Sequence, residues 1–259
     1  MTDILKNQAV IVFGATGRVG ADVCRILADN GASVVVHYHS NRKAAEEIVA
    51  QIEAKGGAAC AIQADVTDEK SIQACYAQAA QRFGRIDGVI NHVHKGQEFA
   101  PVPIADMEWS DWDDHLESIK AHFYICKYAI PYMRRQNYGR IIFVSGGLSF
   151  RFFAGCSPFS TAKAGLNAFS KTLALEEGCH NITVNVIAPG KVVRPGDTLT
   201  DVSGEWEEME RRQLAGIPLG RFCTPDDVAN AALLLLMPSS NYITGQTVFL
   251  AGGEIMPMP

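Results

Sequence analysis

The feature that most constrains this chain lies in its first thirty residues. A short apolar run, Ala9 to Phe13, meets the glycine-spaced turn Gly14-Ala15-Thr16-Gly17-Arg18-Val19-Gly20, and a helical pattern follows through Val23, Ile26 and Leu27. Strand, glycine turn and helix in immediate succession open a dinucleotide-binding α/β unit. Glycine suits the turn for physical reasons: the bend is tight, the backbone must approach a pyrophosphate, and the helix N-terminus must face its charge. A G-x-x-G-x-x-G string alone says little; its place between a strand and a helix gives it weight.

The alternation continues. Strands are expected at Ser33–Tyr38, Ala58–Ala64, Gly88–Asn91, Arg140–Val144, Asn181–Val186 and Ile243–Val248. Helices are expected at Arg42–Ala54, Ser71–Phe83 (capped by Asp68), His115–Met133 and Phe159–Glu177, with a last one after Thr224 as cap and Pro225 at its first position. The stretch from Lys95 to Asp114, with Trp109 and Trp112, reads as irregular. Strand runs alternating with helices imply a doubly wound parallel sheet of seven strands, with helices on both faces, in a single Rossmann-type domain over all 259 residues.

Composition narrows the function classes. The formal net charge is −5 with no basic run, which argues against a nucleic-acid partner. The longest apolar stretch, Ala229 to Met237, is far too short to span a membrane. Met1 to Lys6 lacks the charged-then-apolar pattern of a signal peptide, and the seven cysteines are odd in number and form no C-x-x-C pair. Reduced thiols and a cytoplasmic location are expected.

The stretch from Gly139 to Glu177 carries the chemistry. A strand leads through Ser145-Gly146-Gly147 and a loop into a helix bearing Phe159-Ser160-Thr161-Ala162-Lys163. Residues four apart share a helix face, so Phe159 and Lys163 look the same way beside the strand end. Here the chain resembles the short-chain dehydrogenase/reductase family, over roughly residues 7 to 253. In that family a tyrosine four before this lysine exchanges the proton while a nicotinamide moves the hydride, and a serine thirteen before the tyrosine binds the substrate oxygen. This chain keeps Lys163 but has Phe159 in the tyrosine's place and Gly146 in the serine's. Ser118 stands where the family has an asparagine. A phenyl ring carries no exchangeable proton, so the family's usual acid/base device is absent.

The resemblance also implies a cofactor site. Gly14, Thr16, Arg18, Val19 and Gly20 match the phosphate turn. Asp65 and Val66 match the adenine contacts. Asn91 is the retained first residue of an Asn-Asn-Ala-Gly motif that here reads Asn91-His92-Val93-His94. Pro189, Gly190 and Val192 match the turn beside the nicotinamide carboxamide, and Lys163 the contact to the nicotinamide ribose. The second strand ends in His37-Tyr38-His39-Ser40-Asn41-Arg42, without the acid that NAD enzymes use for the ribose hydroxyls. Arg18, His39, Ser40 and Arg42 suit a 2′-phosphate, so NADP is favoured over NAD; alternatively Arg42 is simply the solvated first residue of a helix. Residues 191–215 correspond to the family's substrate lid, and a homotetramer or dimer follows from the same resemblance.

Several replacements for the lost phenol stay open. His115, Ser118 and His122 share one helix face, and a histidine can serve as general acid near neutral pH. His92 and His94 point one way from a strand end, but no matching cysteine or carboxylate spacing supports a metal, and none is expected. Ser149, Arg151, Cys156 and Ser157 lie on the loop that should pass near the substrate. Lys163 either holds the ribose or acts as an acid itself. Phe150, Phe152, Phe153, Phe159 and Trp206 suggest an uncharged or aromatic small-molecule substrate. Three readings follow: an NADP-dependent oxidoreductase of a small carbonyl or hydroxyl compound with a non-standard proton donor, a catalytically silent cofactor- or metabolite-binding homologue, or a redox-neutral lyase or isomerase using the histidines.

Overall fold

The computed structural model describes residues 3–95, 101–194 and 205–256, with the side chains of 205–207 outside that description. Among these residues seven strands form one parallel sheet: β1 (Ala9–Phe13), β2 (Ser33–Tyr38), β3 (Ala58–Gln63), β4 (Gly88–Asn91), β5 (Gly139–Val144), β6 (Ile182–Pro189) and β7 (Thr247–Leu250). Their order is β3-β2-β1-β4-β5-β6-β7. The chain reverses its direction of travel between β1 and β4, and the crevice at the carboxyl ends of those two strands is where a doubly wound sheet receives its ligand.

Strand residues alternate between two apolar layers. Val10 and Val12 face a cluster with Val23, Leu27, Ile48, Ile52 and Leu235, from helices α1 (Gly20–Asp29), α2 (Arg42–Ala54) and the late helix Pro225–Leu236. Ile11 and Phe13 face the other, with Ile72, Tyr76, Ile125, Met133, Leu166 and Leu173. These come from α3 (Glu69–Phe83), α4 (Trp109–Gln136) and α5 (Ser157–Glu177). Helix α6 (Glu205–Ala215) precedes the late helix, α7 (Pro225–Leu236), which starts with a capping box between Thr224 and Asp227.

Most boundaries shift by one to three residues from the sequence expectation, and three of the differences have a visible cause. Helix α4 begins at Trp109, not His115, because Glu108 and Asp111 cap each other's backbone reciprocally. Trp109 and Trp112 therefore stack on its first turn, with centroids 6.4 Å apart. Strand β6 runs on to Pro189, paired with Leu250, and Gly190 N–H takes the next ladder bond to the Leu250 carbonyl at 3.1 Å. Strand β7 starts at Thr247 instead of Ile243. The Asn185 side chain intercepts the preceding turn, donating to the Ile243 carbonyl at 2.7 Å and accepting from Gln246 N–H at 3.1 Å.

Candidate active site

The glycine turn after β1 is built around Gly20. A Cβ there would lie 2.3 Å from the Gly14 carbonyl oxygen and 2.6 Å from Ala15 Cα. Gly14 adopts a left-handed φ of +78°, open to glycine at low cost. The Val19 side chain makes no cap hydrogen bond to α1, while its carbonyl accepts from Asp22 and Val23 N–H at 3.1 Å. His37, near the end of β2, pins the turn: its Nδ1 accepts from Gly14 N–H at 3.2 Å while Nε2 lies 3.1 Å from the Ala64 carbonyl. Only the neutral tautomer protonated at Nε2 satisfies both. Burial, opposed by the Ala64 contact, pulls the His37 pKa down to about 4.

Beyond Asn91 the chain delivers His92 and His94 to the same crevice. Asn91 is fully used: its Oδ1 accepts from Val93 N–H at 3.0 Å, and its amide donates to His122 Nδ1 at 2.7 Å. His122 is buried behind it, edge-on to Phe143, and burial followed by the Lys163 charge lowers its pKa to about 3. Ser118 Oγ accepts from Lys95 N–H at 2.9 Å and so anchors the segment that carries His94.

His94 and His115 form a pair. His94 Nε2 lies 3.0 Å from His115 Nδ1, and both rings meet Phe159 edge-on, at centroid distances of 4.9 and 5.9 Å. Lys163 Nζ sits 5.4 Å from the Phe159 ring centre and donates to the Val144 carbonyl at 3.4 Å. Burial first, then the Lys163 charge, pushes His94 down to about 2 and His92 to about 4, and His115 is also lowered, chiefly by burial. These imidazoles are neutral at physiological pH. His94 Nδ1 is buried without a hydrogen-bond partner.

A cleft of about 770 Å³ gathers Lys163, Arg18, Val19, Pro189, Gly190 and Val192 with His92, His94, Phe153 and Phe159. Gly146 lines it too, so a serine there would face the cleft. His122, Ser118 and Asn91 stand behind the wall, and His115 reaches it through His94. Phe150 turns away onto Phe249, and Phe152 is mostly exposed at a separate hollow. Ser149 spends its hydroxyl on the Gly146 carbonyl at 2.7 Å. Ser157 belongs to the hollow beside Phe152, and Cys156 is a buried thiol before α5. Trp206 lies outside the described side chains.

The expected nucleotide residues spread along the carboxyl rim of β1 to β3. Thr16 sits within the glycine turn. Asp65 Oδ1 accepts from the Thr67 N–H and hydroxyl at 2.8 and 2.7 Å, which holds its carboxyl below the usual range, and Val66 follows it, half-buried. His39 and Ser40 are exposed. Arg42 starts α2 and bonds Glu46 at 2.7 Å, and Asn41 caps that helix.

Sequence reading missed the charged side of the cleft beside α6. Arg151 pairs with Glu254, and Lys191 with Glu210 on α6; all four line the cleft with Gln213. No motif announces these pairs, because each joins residues from distant segments. Among the described residues there is no cluster of three or more metal-ligating side chains and no helix long and apolar enough to cross a membrane.

Comparison with known proteins agrees with the fold. A family model described as enoyl-(acyl carrier protein) reductase matches residues 14–254. The chain is 32% identical over 250 residues to the 3-oxoacyl-[acyl-carrier-protein] reductase FabG of Staphylococcus aureus, covering 96% of this chain and 99% of that one. It is 33% identical over 254 residues to the short-chain reductase protein NovJ of Streptomyces niveus, covering 97% and 95%. A solved 7α-hydroxysteroid dehydrogenase, complexed with NADH and 7-oxo glycochenodeoxycholic acid, superposes with a TM-score of 0.86 at 30% identity over 96% of this chain and 94% of that one. NAD+-bound xylitol dehydrogenase shares the fold, with a TM-score of 0.87 at 24% identity over 96% and 99%. With matches running almost end to end, the chain belongs to the short-chain dehydrogenase/reductase family of oxidoreductases.

Proposed function

We propose that this protein is an NADP(H)-dependent oxidoreductase of a small carbonyl or hydroxyl compound, in which the His94–His115 pair takes the place of a catalytic phenol. The observation that carries the reading is that pair: two imidazoles 3.0 Å apart, both edge-on to the Phe159 ring, with His94 on the cleft wall beside Lys163.

The residues fit the cofactor. The Gly14–Gly20 turn is so tightly folded that a Cβ at Gly20 would overlap its own backbone, and α1 carries no side-chain cap. Arg18, His39, Ser40 and Arg42 would hold a 2′-phosphate, Asp65 and Val66 the adenine, Asn91 the backbone beneath the ribose, Lys163 the nicotinamide ribose, and Pro189, Gly190 and Val192 the carboxamide. Bound NADP(H) would supply or accept the hydride. The chain's own part is the proton. A neutral His94 is the accepting form and suits removal of a hydroxyl proton during oxidation, with His115 sharing the charge through their hydrogen bond. In the reducing direction the pair must first load a proton, so reduction is acid-favoured.

A second reading, a silent cofactor- or metabolite-binding homologue, is favoured by the same depressed pKa values, since neutral imidazoles are poor acids and Phe159 offers none. A thermal-shift titration with NADPH and NADH, followed by nicotinamide absorbance over a panel of ketones and alcohols, separates the two. Stabilisation by NADPH with turnover supports the oxidoreductase; stabilisation without turnover of any compound supports the silent homologue. We also take the protein to be a homo-oligomer, joined through α4 and α5, whose outward faces expose Phe123 and Leu175.

A further inference from the structure

The ends of β1 and β6 stand three strand spacings apart, about 14 Å, yet the segments that follow them touch. Arg194, beyond the end of β6, donates from a guanidinium nitrogen to the Arg18 carbonyl at 2.6 Å. The same nitrogen lies 4.0 Å from the Asp22 carboxylate on the first turn of α1, whose other oxygen is taken by Arg25. The root of this reach is fixed from behind. Val193 N–H donates to the Cys223 carbonyl at 2.9 Å, and Cys223 N–H to the Lys191 carbonyl at 3.1 Å. The tip stands in solvent, since Arg194 is exposed. Arg18, Val19, Pro189, Gly190, Lys191 and Val192 line one cleft, and Arg194 lies outside that lining. The bond from Arg194 to Arg18 therefore crosses the outer edge of the groove, from the β6 bank to the glycine-turn bank.

We infer that Arg194 is a clasp across the nucleotide groove, which must open each time a dinucleotide enters or leaves. This rests on the reading of the groove as the NADP(H) site. A dinucleotide with its pyrophosphate on the Gly14–Gly20 turn and its carboxamide beside Pro189 to Val192 spans both banks, so its middle lies under the bridge. The clasp holds bank to bank: its partners are a backbone carbonyl and a carboxylate, both present whatever lies below. An interaction equally available with and without the ligand shifts no binding equilibrium, so the clasp acts on the rates of exchange. A hydrogen bond from a charged donor is strong enough to favour the closed form about tenfold or more.

The test is stopped-flow fluorescence of NADPH binding to the intact protein, and of NADPH displacement by excess NADP+. Arg194→Met should raise the association and dissociation rate constants about tenfold each and hold Kd within about twofold. Asp22→Asn, which leaves the bond to the Arg18 carbonyl in place, should raise both by less. The half-ligand 2′,5′-ADP ends at its 5′-phosphate and reaches only the glycine-turn bank. Its displacement by NADPH should release it at the same rate from the wild type and from Arg194→Met. The inference fails if NADPH exchanges equally fast in both proteins, or if 2′,5′-ADP release speeds up as much as NADPH release. It fails equally if Arg194→Met weakens NADPH through faster dissociation alone or through slower association, because Arg194 would then be an ordinary ligand of the pyrophosphate. If the wild type does not bind NADPH, the cofactor reading falls and takes the clasp with it. NADPH binding with unaltered exchange sinks the clasp alone.

Discussion

His94 and His115 touch, nitrogen to nitrogen at 3.0 Å, although one follows a strand and the other sits on a helix. Both rings stand nearly perpendicular to the Phe159 ring, at 77° and 86°. If the pair moves the proton, His94→Ala should cost roughly 10² to 10⁴ in kcat, the usual range for a general acid or base. His115→Ala, a positioning change, should instead move the pH profile with a smaller loss. In the intact protein, alcohol oxidation should be nearly flat above pH 6.5 and carbonyl reduction should fall as pH rises. Initial rates in both directions check this, and a pH-independent reduction rate would count against the pair.

A serine side chain should be acceptable at Gly146. A Cβ at Gly146 would meet only the Phe159 ring at 3.8 Å, an ordinary contact, and Gly146 is in extended backbone that any residue adopts. Phe159→Tyr with Gly146→Ser should therefore fold normally and raise NADPH-dependent reductase activity by about 10² or more, given what a positioned acid contributes. Steady-state kinetics on the same ketone panel gives the answer; an unchanged rate in a folded, NADPH-binding double variant would show that the proton is not what limits the wild type.

Stability should fall on acidification in a defined window. His37 and His92 hold pKa values near 4 and His122 near 3, against 6.5 for an unhindered imidazole, each because burial penalises the charged form. Between those values the unfolded chain binds more protons than the folded one, so the stability they contribute is complete above pH 6.5 and drains away as pH falls toward about 4. A single fully buried histidine of this kind is worth about 3 kcal/mol across the window. Chemical denaturation at pH 7.5, 6 and 5 measures it, and His37→Asn should flatten the early part of the slope. A flat profile would mean these rings are protonated or solvated in the folded state.

Two glycines should respond unequally to alanine. At Gly20 the added methyl would overlap the Gly14 carbonyl and the Ala15 backbone, neither of which can move freely. Overpacking of that kind costs roughly 1–3 kcal/mol or more, and should abolish nucleotide binding with it. Gly84, the C-cap of α3 at φ +75°, has nothing within 4 Å of the new atom, so only the left-handed backbone is penalised, at about 1 kcal/mol. Thermal melts with and without NADPH compare the two.

Much of the scaffold was legible because punctuation residues mark its joints. Gly14 ends β1, Asn41 caps α2, Asp68 caps α3 and Thr224 caps α7, each at or next to the expected boundary. The start of α4 was hidden because Glu108 and Asp111 look like a solvated acidic stretch until their reciprocal cap is seen. The cleft was legible only in part. The phosphate turn, the helix face bearing Lys163 and the Pro189-Gly190 turn are each local motifs with their own spacing. The contacts that set proton chemistry are not local: His37 on Gly14, Asn91 on His122, His94 on His115 and Lys191 on Glu210 all join separate elements, and no spacing along one chain encodes them.

Because all seven strands run the same way, every loop that follows a strand emerges along one rim. A lineage can therefore swap a glycine for an imidazole in one such loop without rebuilding the sheet. The same freedom is open to an engineer, who can treat the rim as a set of interchangeable cassettes on a chassis that stays put.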